Sequence, residues 1–221
     1  MVLNPDARDD LSDRRHARVA TQIAARGVRS PEVLDAMRAV PREEFVPEHL
    51  KKLAYQDSPL PIGSGQTISQ PHVVALMIEA LNLKGGENVL EVGGGSGYAA
   101  AVLGRIAGTV CSIERIEQLA TSARERLAAL GYDNVEMRYG DGTRGCPDKA
   151  PFDAIVVAAG TPEVPLALKQ QLKIGGRLVI PVGRNDHFQH LVRITRVAED
   201  RYDEEDLAPV RFVPLIAETY H

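Results

Sequence analysis

The sequence offers little on which a metal, membrane or nucleic-acid function would rest. Its only two cysteines, Cys111 and Cys146, have neither C-x-x-C spacing nor histidine partners, so no metal site is expected. Cys111 lies in an apolar run and reads as a buried thiol. No apolar run approaches the roughly 20 residues of a membrane span. The first residues mix Asp9, Asp10 and Asp13 with Arg14 and Arg15 and lead into no apolar core, which argues against a signal peptide and for a cytoplasmic protein. Basic residues are not in excess: 26 Lys and Arg face 30 Asp and Glu, a net charge of −4. No basic field would gather phosphates, so no nucleic-acid partner is expected. Internal repeats and low-complexity segments are also missing. What remains is an ordinary globular composition, 44% hydrophobic and 25% charged over 221 residues, enough to bury a substantial core.

Against that plain background, Glu91-Val92-Gly93-Gly94-Gly95-Ser96-Gly97-Tyr98 stands out. It follows the apolar run Asn88-Val89-Leu90 and precedes a helical pattern. Gly93, Gly95 and Gly97 permit a tight turn and let a ligand lie against bare backbone. The following helix would offer unpaired N–H groups there. Glu114 ends the next strand about 20 residues on, where a ribose-binding carboxylate belongs. A dinucleotide fingerprint would need glycine where Tyr98 stands, so the spacing disfavours a pyrophosphate. Glu91 would face a ligand ammonium or the loop backbone. Alone, the glycines also fit a tight strand–helix connection; with Glu114 in register they read as a nucleoside-binding site.

The rest of the chain supplies the frame for this turn. A helical pattern runs from Ala17 to about Val40, with Val19 and Ile23 on one face and Ser30-Pro31 as an N-cap and first helical position. Val33, Leu34 and Met37 form the next buried stripe. Pro41, Pro47, Pro59 and Pro61, with Gly63 and Gly65, predict irregular chain with short helical pieces. Pro71 opens a further helix that Gly85-Gly86 should end. Strands are predicted at 88–92, 109–114, 134–139, 153–158 and 176–182, and helices at 97–107, 116–130 and 163–173. This alternation means a doubly wound, mostly parallel α/β sheet. Two late strands, 190–197 and 208–213, flank an acidic loop Glu199–Asp206 and should form an antiparallel edge; their order in the sheet is left open. One domain is expected, with an N-terminal helical subdomain over 14–82 and the sheet over 83–221. Met1 to about Asp13 is polar and expected to be disordered.

Two more segments bear on chemistry. In Gly140-Asp141-Gly142, the glycines allow close approach and Asp141 could accept from an exocyclic amine, although an Asp-Gly turn accounts for the same residues. Leu60–Pro71 concentrates Gln66, Thr67 and Ser69 just before a helix. A single N-cap would use one hydroxyl and leave the others unexplained. His72 draws attention as a base but follows Pro71 in the first helical turn; His187, His190 and His221 read as surface groups.

Here the sequence resembles the protein-L-isoaspartate (D-aspartate) O-methyltransferases. The matching runs are Val40-Pro41-Arg42 with Phe45-Val46-Pro47, Leu60–Pro71, Leu90–Tyr98, Ser112-Ile113-Glu114-Arg115 and Gly140-Asp141-Gly142. They continue through Ala150–Ile155, Gln171-Leu172, Gly175–Gly183 and Arg211–Leu215, in family order. The Gln66-Thr67-Ile68-Ser69 element is much more specific than the glycine loop, since generic methyltransferases lack it. Two positions depart from the usual pattern: Gly94, often threonine in the family, and Gly160, which replaces another small residue.

The resemblance implies a Rossmann-like class I methyltransferase. It would transfer a methyl group from S-adenosylmethionine to the α-carboxylate of L-isoaspartyl residues in damaged proteins and release S-adenosylhomocysteine. Ser69 falls on the family's catalytic serine. Gln66, Thr67 and Ile68, with Pro181 and Val182, fall on substrate-side positions. Gly93, Gly95, Ser96, Glu114, Asp141 and Gly142 fall on cofactor positions; Glu91 and Gly97 complete the same loop. The implied partners are isoaspartyl proteins and peptides, and the enzyme is expected to act as a monomer. Three alternatives stay open: methylation of a normal aspartate in a modified peptide, methylation of a small-molecule carboxylate, and a non-catalytic cofactor-binding protein.

Overall fold

A computed structural model of the chain describes residues 5–185 and 188–217. The order of elements is α1 Pro5–Arg18, α2 Pro31–Ala39, a hairpin of β1 Leu60–Gly63 and β2 Gln66–Ile68, and α3 Pro71–Leu81. The α/β alternation follows: β3 Asn88–Val92, α4 Tyr98–Gly104, β4 Thr109–Glu114, α5 Glu117–Ala129, β5 Val135–Tyr139, β6 Phe152–Val157, α6 Leu166–Gln170 and β7 Leu172–Asn185. A final hairpin joins β8 Phe188–Ala198 to β9 Arg201–Val210. Short 3-10 turns at Arg42–Phe45 and Glu48–Leu53 are the helical pieces of the proline-rich region.

The strands form a seven-stranded sheet in the order β5-β4-β3-β6-β7-β8-β9. Pairings from β5 to β7 are parallel, and β7-β8 and β8-β9 are antiparallel. The chain steps outward from β3 to β5, then restarts at β6 on the other side of β3. Between β3 and β6 lies the switch point, outside whose carboxyl ends ligands of such sheets bind. The order left open in the sequence is a simple meander, because only two residues separate each antiparallel strand from the next.

Local chemistry explains most element ends. The Ser30 hydroxyl accepts from the Val33 amide, with Pro31 in the first helical position of α2. Gly131, at φ 78°, closes α5, and the Tyr132 amide reaches back to the Leu127 carbonyl. Helix α3 stops before Gly85-Gly86 because Asn82 already turns left-handed, at φ 53°. Helix α6 is far shorter than 163–173: Pro165 sets its start, and the Gln171 side chain is drawn off to the Cys146 amide and the Arg144 carbonyl.

Three further expectations differ from the structure. Residues 5–13 lie in helix α1, not in a disordered extension, while Met1–Asn4 fall outside the described residues. Polar composition misleads here because α1 has tertiary partners: Arg15 donates to the Tyr55 hydroxyl, and Arg18 is buried over the Tyr55 ring, 5.7 Å from its centroid. The region before α3 contains the β1–β2 hairpin, closed by Ser64 and Gly65 at φ 51° and 70°. Two left-handed residues give the turn that matches strand twist. The acidic segment 203–206 is strand β9 rather than loop; an edge strand keeps such side chains in water. The turn is only Glu199-Asp200.

One hydrophobic cluster runs from Val19, Met37 and Phe45 through Ile78 and Leu81 to Val89, Val110 and Val179, joining the N-terminal elements to one sheet face. The other face packs a second cluster around Leu90, Ile113, Ile155, Leu168 and Leu178. Arg42 belongs to this packing: it is 1% exposed, lies 4.9 Å over the Tyr98 ring and donates to the Ala54 carbonyl. Cys111 is buried, its Sγ 3.3 Å from that of Cys146, and both thiols are free. Burial pushes both thiol pKa values up.

Candidate active site

A cavity of about 290 Å³ opens at the switch point. On one side it is lined by Glu91, Gly93, Gly95, Ser96, Glu114 and Gly142, and on the other by Gln66, Thr67, Ile68 and Ser69. Two segments far apart in sequence thus face each other across one space.

The glycine loop is built tightly. Gly93 and Gly94 both donate to the Ile113 carbonyl, at 2.8 and 3.1 Å. Gly93 and Gly95 have φ of 89° and 53°, which side chains tolerate poorly. A Cβ on Gly94 would stand 2.5 Å from Ser112 Oγ and 2.8 Å from Met137 Cε, so threonine could enter here only if both moved. Glu114 is 6% exposed; its two oxygens accept from the Gly95 amide at 2.8 Å and the Ile116 amide at 2.9 Å. It therefore holds the loop's shape, and each oxygen still has a lone pair for a ligand hydroxyl.

Glu91 has a different partner from those expected. Ser112 Oγ donates to its Oε2, and its Oε1 is buried with no hydrogen bond. Burial, opposed by the Ser112 bond and reinforced by the nearby negative Glu114, pushes the carboxyl up to about 8. At neutral pH Glu91 is mostly protonated. A cationic group arriving in the cavity would favour the carboxylate.

Four of the sequence-selected positions do not line the cavity. Gly97 caps α4 at φ 86° and packs on α5, where a Cβ would press on Leu127 Cδ1 at 3.2 Å and Ala123 Cβ at 3.3 Å. Asp141 Oδ1 accepts from the Thr143 amide and hydroxyl, the turn role that its sequence context also allowed. Its neighbour Gly142 does reach the cavity, and needs to be glycine because a Cβ would overlap Val92. Pro181 and Val182 are held away by the segment leaving β6: Thr161 donates to the Pro181 carbonyl at 3.1 Å and bridges Val182.

On the facing wall, the hydroxyls are not spent on folding. The residue capping α3 is Gln70, whose side chain makes no capping bond. Neither Ser69 nor Thr67 caps the helix, and no side-chain hydrogen bond joins either to the described residues. His72 lies outside the lining; burial and the charge of Arg26 lower its pKa. His190 is exposed and pairs with Asp206, whereas His187 and His221 lie outside the described residues.

Sequence reasoning passed over several wall residues. Val74, Met77 and Ile78 of α3 are core and wall at once. Arg115 and Ile116, between β4 and α5, also line the cavity. Val213–Ile216, some 145 residues from Ser69 in the chain, come to the cavity by tertiary folding alone. Among the described residues no group of three or more His, Cys, Asp or Glu side chains could hold a metal, and no helix is long and apolar enough to cross a membrane.

Residues 14–220 match the family model of protein-L-isoaspartate (D-aspartate) O-methyltransferases. The chain belongs to the protein-L-isoaspartate (D-aspartate) O-methyltransferase family. It is 62% identical over 218 residues to protein-L-isoaspartate O-methyltransferase 1 of Rhodopseudomonas palustris, covering 97% of this chain and 89% of the relative. Protein-L-isoaspartate O-methyltransferase 2 of Marinobacter nauticus is 56% identical over 98% of each chain. A solved protein-L-isoaspartate O-methyltransferase superposes with a TM-score of 0.81 at 31% identity over 90% of this chain, which spans 65% of that one. A Plasmodium falciparum structure of the same description, in complex with S-adenosyl-L-homocysteine, gives 0.78 at 27% identity, covering 91% of this chain and 98% of its own. As a family member, the chain is an S-adenosylmethionine-dependent methyltransferase with a Rossmann-like, mostly parallel sheet.

Proposed function

We propose that this cavity binds S-adenosylmethionine along the Gly93–Ser96 loop and receives the isoaspartyl carboxylate of a damaged protein at Ser69. The observation that carries the reading is the pairing of opposite walls: a bare-backbone loop beside a buried carboxyl oxygen without a hydrogen bond, Glu91 Oε1, faces hydroxyls that folding leaves unused. The residues suit the cofactor. Glu91 Oε1 offers a buried acceptor to an ammonium, Glu114 keeps acceptor capacity for ribose hydroxyls, and Gly93 and Gly95 leave room beside the backbone. Asp141 would serve the adenine only through an oxygen not used on Thr143.

The bound cofactor supplies an electrophilic methyl group on a sulfonium sulfur. The chain's own residues have a modest task. An acceptor carboxylate with a pKa of about 4 is already ionised at pH 7, so no general base is needed. Ser69 donates a hydrogen bond that orients it, and the uncapped N-terminus of α3, two residues on, favours its negative charge. The apolar walls from Ile68, Val74 and Ile78 keep water from the reacting oxygen.

The test compares matched peptides that differ only in isoaspartate or aspartate, with labelled S-adenosylmethionine, scoring base-labile methyl ester. Labelling confined to the isoaspartyl peptide is expected. Equal labelling of both peptides, or of neither, overturns the assignment of acceptor.

A further inference from the structure

The last described stretch, Phe212–Ile216, leaves β9 and runs as a strap along the cavity, where Val213, Pro214, Leu215 and Ile216 form wall. It is not a strand of the sheet. Two devices hold it instead. Gly160 donates to the Val213 carbonyl at 2.8 Å and accepts from the Leu215 amide at 2.6 Å. Gln189, on β8, accepts from the Phe212 amide at 2.8 Å and donates from Nε2 to the Phe212 carbonyl at 3.2 Å.

Gln189 thus does with its side chain what a neighbouring strand does with its backbone. Its own backbone pairs with Val210, the last residue of β9, and its amide continues the ladder to Phe212. The residue is 4% exposed. Burying a glutamine costs rotamer freedom and the hydration of a polar amide. A leucine there would fill the same space more cheaply. What the amide adds is register: fixing both polar groups of Phe212 fixes which faces of residues 213–216 meet the cavity. Gly160 is matched to it, because a Cβ there would overlap the Gln189 amide.

We infer that Gln189, seated against Gly160, is a positioning residue that sets the substrate-side wall of the cavity through the 212–216 strap. It touches neither reacting atom; it acts through the strap's backbone. The inference rests on the proposed reading of the cavity as the site of methyl transfer.

Gln189→Leu keeps the volume and removes both hydrogen bonds; Gly160→Ala instead displaces the amide. For each variant, peptide KM and kcat are measured with isoaspartyl substrate, and S-adenosylhomocysteine affinity by calorimetry. Both variants are expected to raise peptide KM by about tenfold, the equivalent of one or two lost hydrogen bonds, with kcat and cofactor affinity within about twofold of wild type. Amide exchange at Phe212 and Leu215 should quicken while that of β6 and β7 does not. An active wild type whose variants keep peptide KM overturns the inference alone. Equal losses of peptide and cofactor binding also overturn it, since they mark general collapse of the cavity. A wild type that leaves the peptide unmethylated removes the catalytic reading, and the inference with it.

Discussion

At the scale of single residues, two side chains are held in states that folding alone does not explain. Ser69 is half-buried beside the cavity with a hydroxyl that caps nothing. Ser69→Ala should lower kcat by about 10- to 100-fold, the worth of one hydrogen bond to a charged group, with S-adenosylhomocysteine affinity nearly unchanged. Equal loss in both, measured by steady-state kinetics and calorimetry, would remove its orienting role. Glu91 is buried with its carboxyl raised from 4.5 to about 8. Because the folded pKa lies above the unfolded one, its contribution to stability is fully present below about 4.5. That contribution fades as pH rises through 8, where the fold must hold an unpaired carboxylate. Glu91→Gln should therefore stabilise the ligand-free protein above pH 8 by about 1–3 kcal/mol, flatten its pH dependence in thermal melts, and weaken cofactor binding. A variant melting with the wild-type pH profile would contradict the assignment.

At the scale of elements, the decisive piece is the β1–β2 hairpin. It is small, but it presents Gln66, Thr67 and Ile68 to the cavity, and its shape depends on the left-handed Ser64-Gly65 turn. Gly65 is exposed and a Cβ there would meet nothing, so substitution tests backbone strain without a packing clash. Gly65→Val should cost about 1–3 kcal/mol of local strain and raise peptide KM more than it weakens cofactor binding. A peptide titration monitored alongside cofactor titration checks the split. The proline and glycine signals around 59–65 were visible in the sequence as punctuation, yet not as a hairpin. Strands of four and three residues carry too little alternation to declare themselves. Long elements were easier: β3, β4, α5 and the capped start of α2 stand within a residue or so of their predicted ends. The acidic strand β9 was lost because edge position, not side-chain chemistry, makes four charges in a row tolerable there.

At the scale of the whole molecule, one hydrophobic cluster binds the N-terminal elements to the sheet. We propose on that basis that residues 14–82 have no independent stability. Denaturant unfolding should then give a single transition, coincident by far-UV circular dichroism and by tyrosine fluorescence, since the chain has no tryptophan. Two separated transitions would show the N-terminal part to be a domain in its own right. The cavity depends on the same arrangement, because one wall comes from that part and the other from the sheet.

The sequence by itself determined the sheet, the glycine turn after β3, the carboxylates Glu91 and Glu114, and the Gln66–Ser69 element that marks the family. These are local signals, periodicities and short motifs whose physics acts within a few residues. Only the tertiary structure decided which selected residues reach the cavity. It turned Gly97 toward α5, spent an oxygen of Asp141 on Thr143, and interposed Thr161 before Pro181 and Val182. It also brought Val213–Ile216 to the site, held there by Gly160 and by the bonds of Gln189 to the adjoining Phe212. Such choices depend on which atoms meet after distant segments pack, and a side chain's hydrogen-bond partner there is set by geometry that no local pattern encodes.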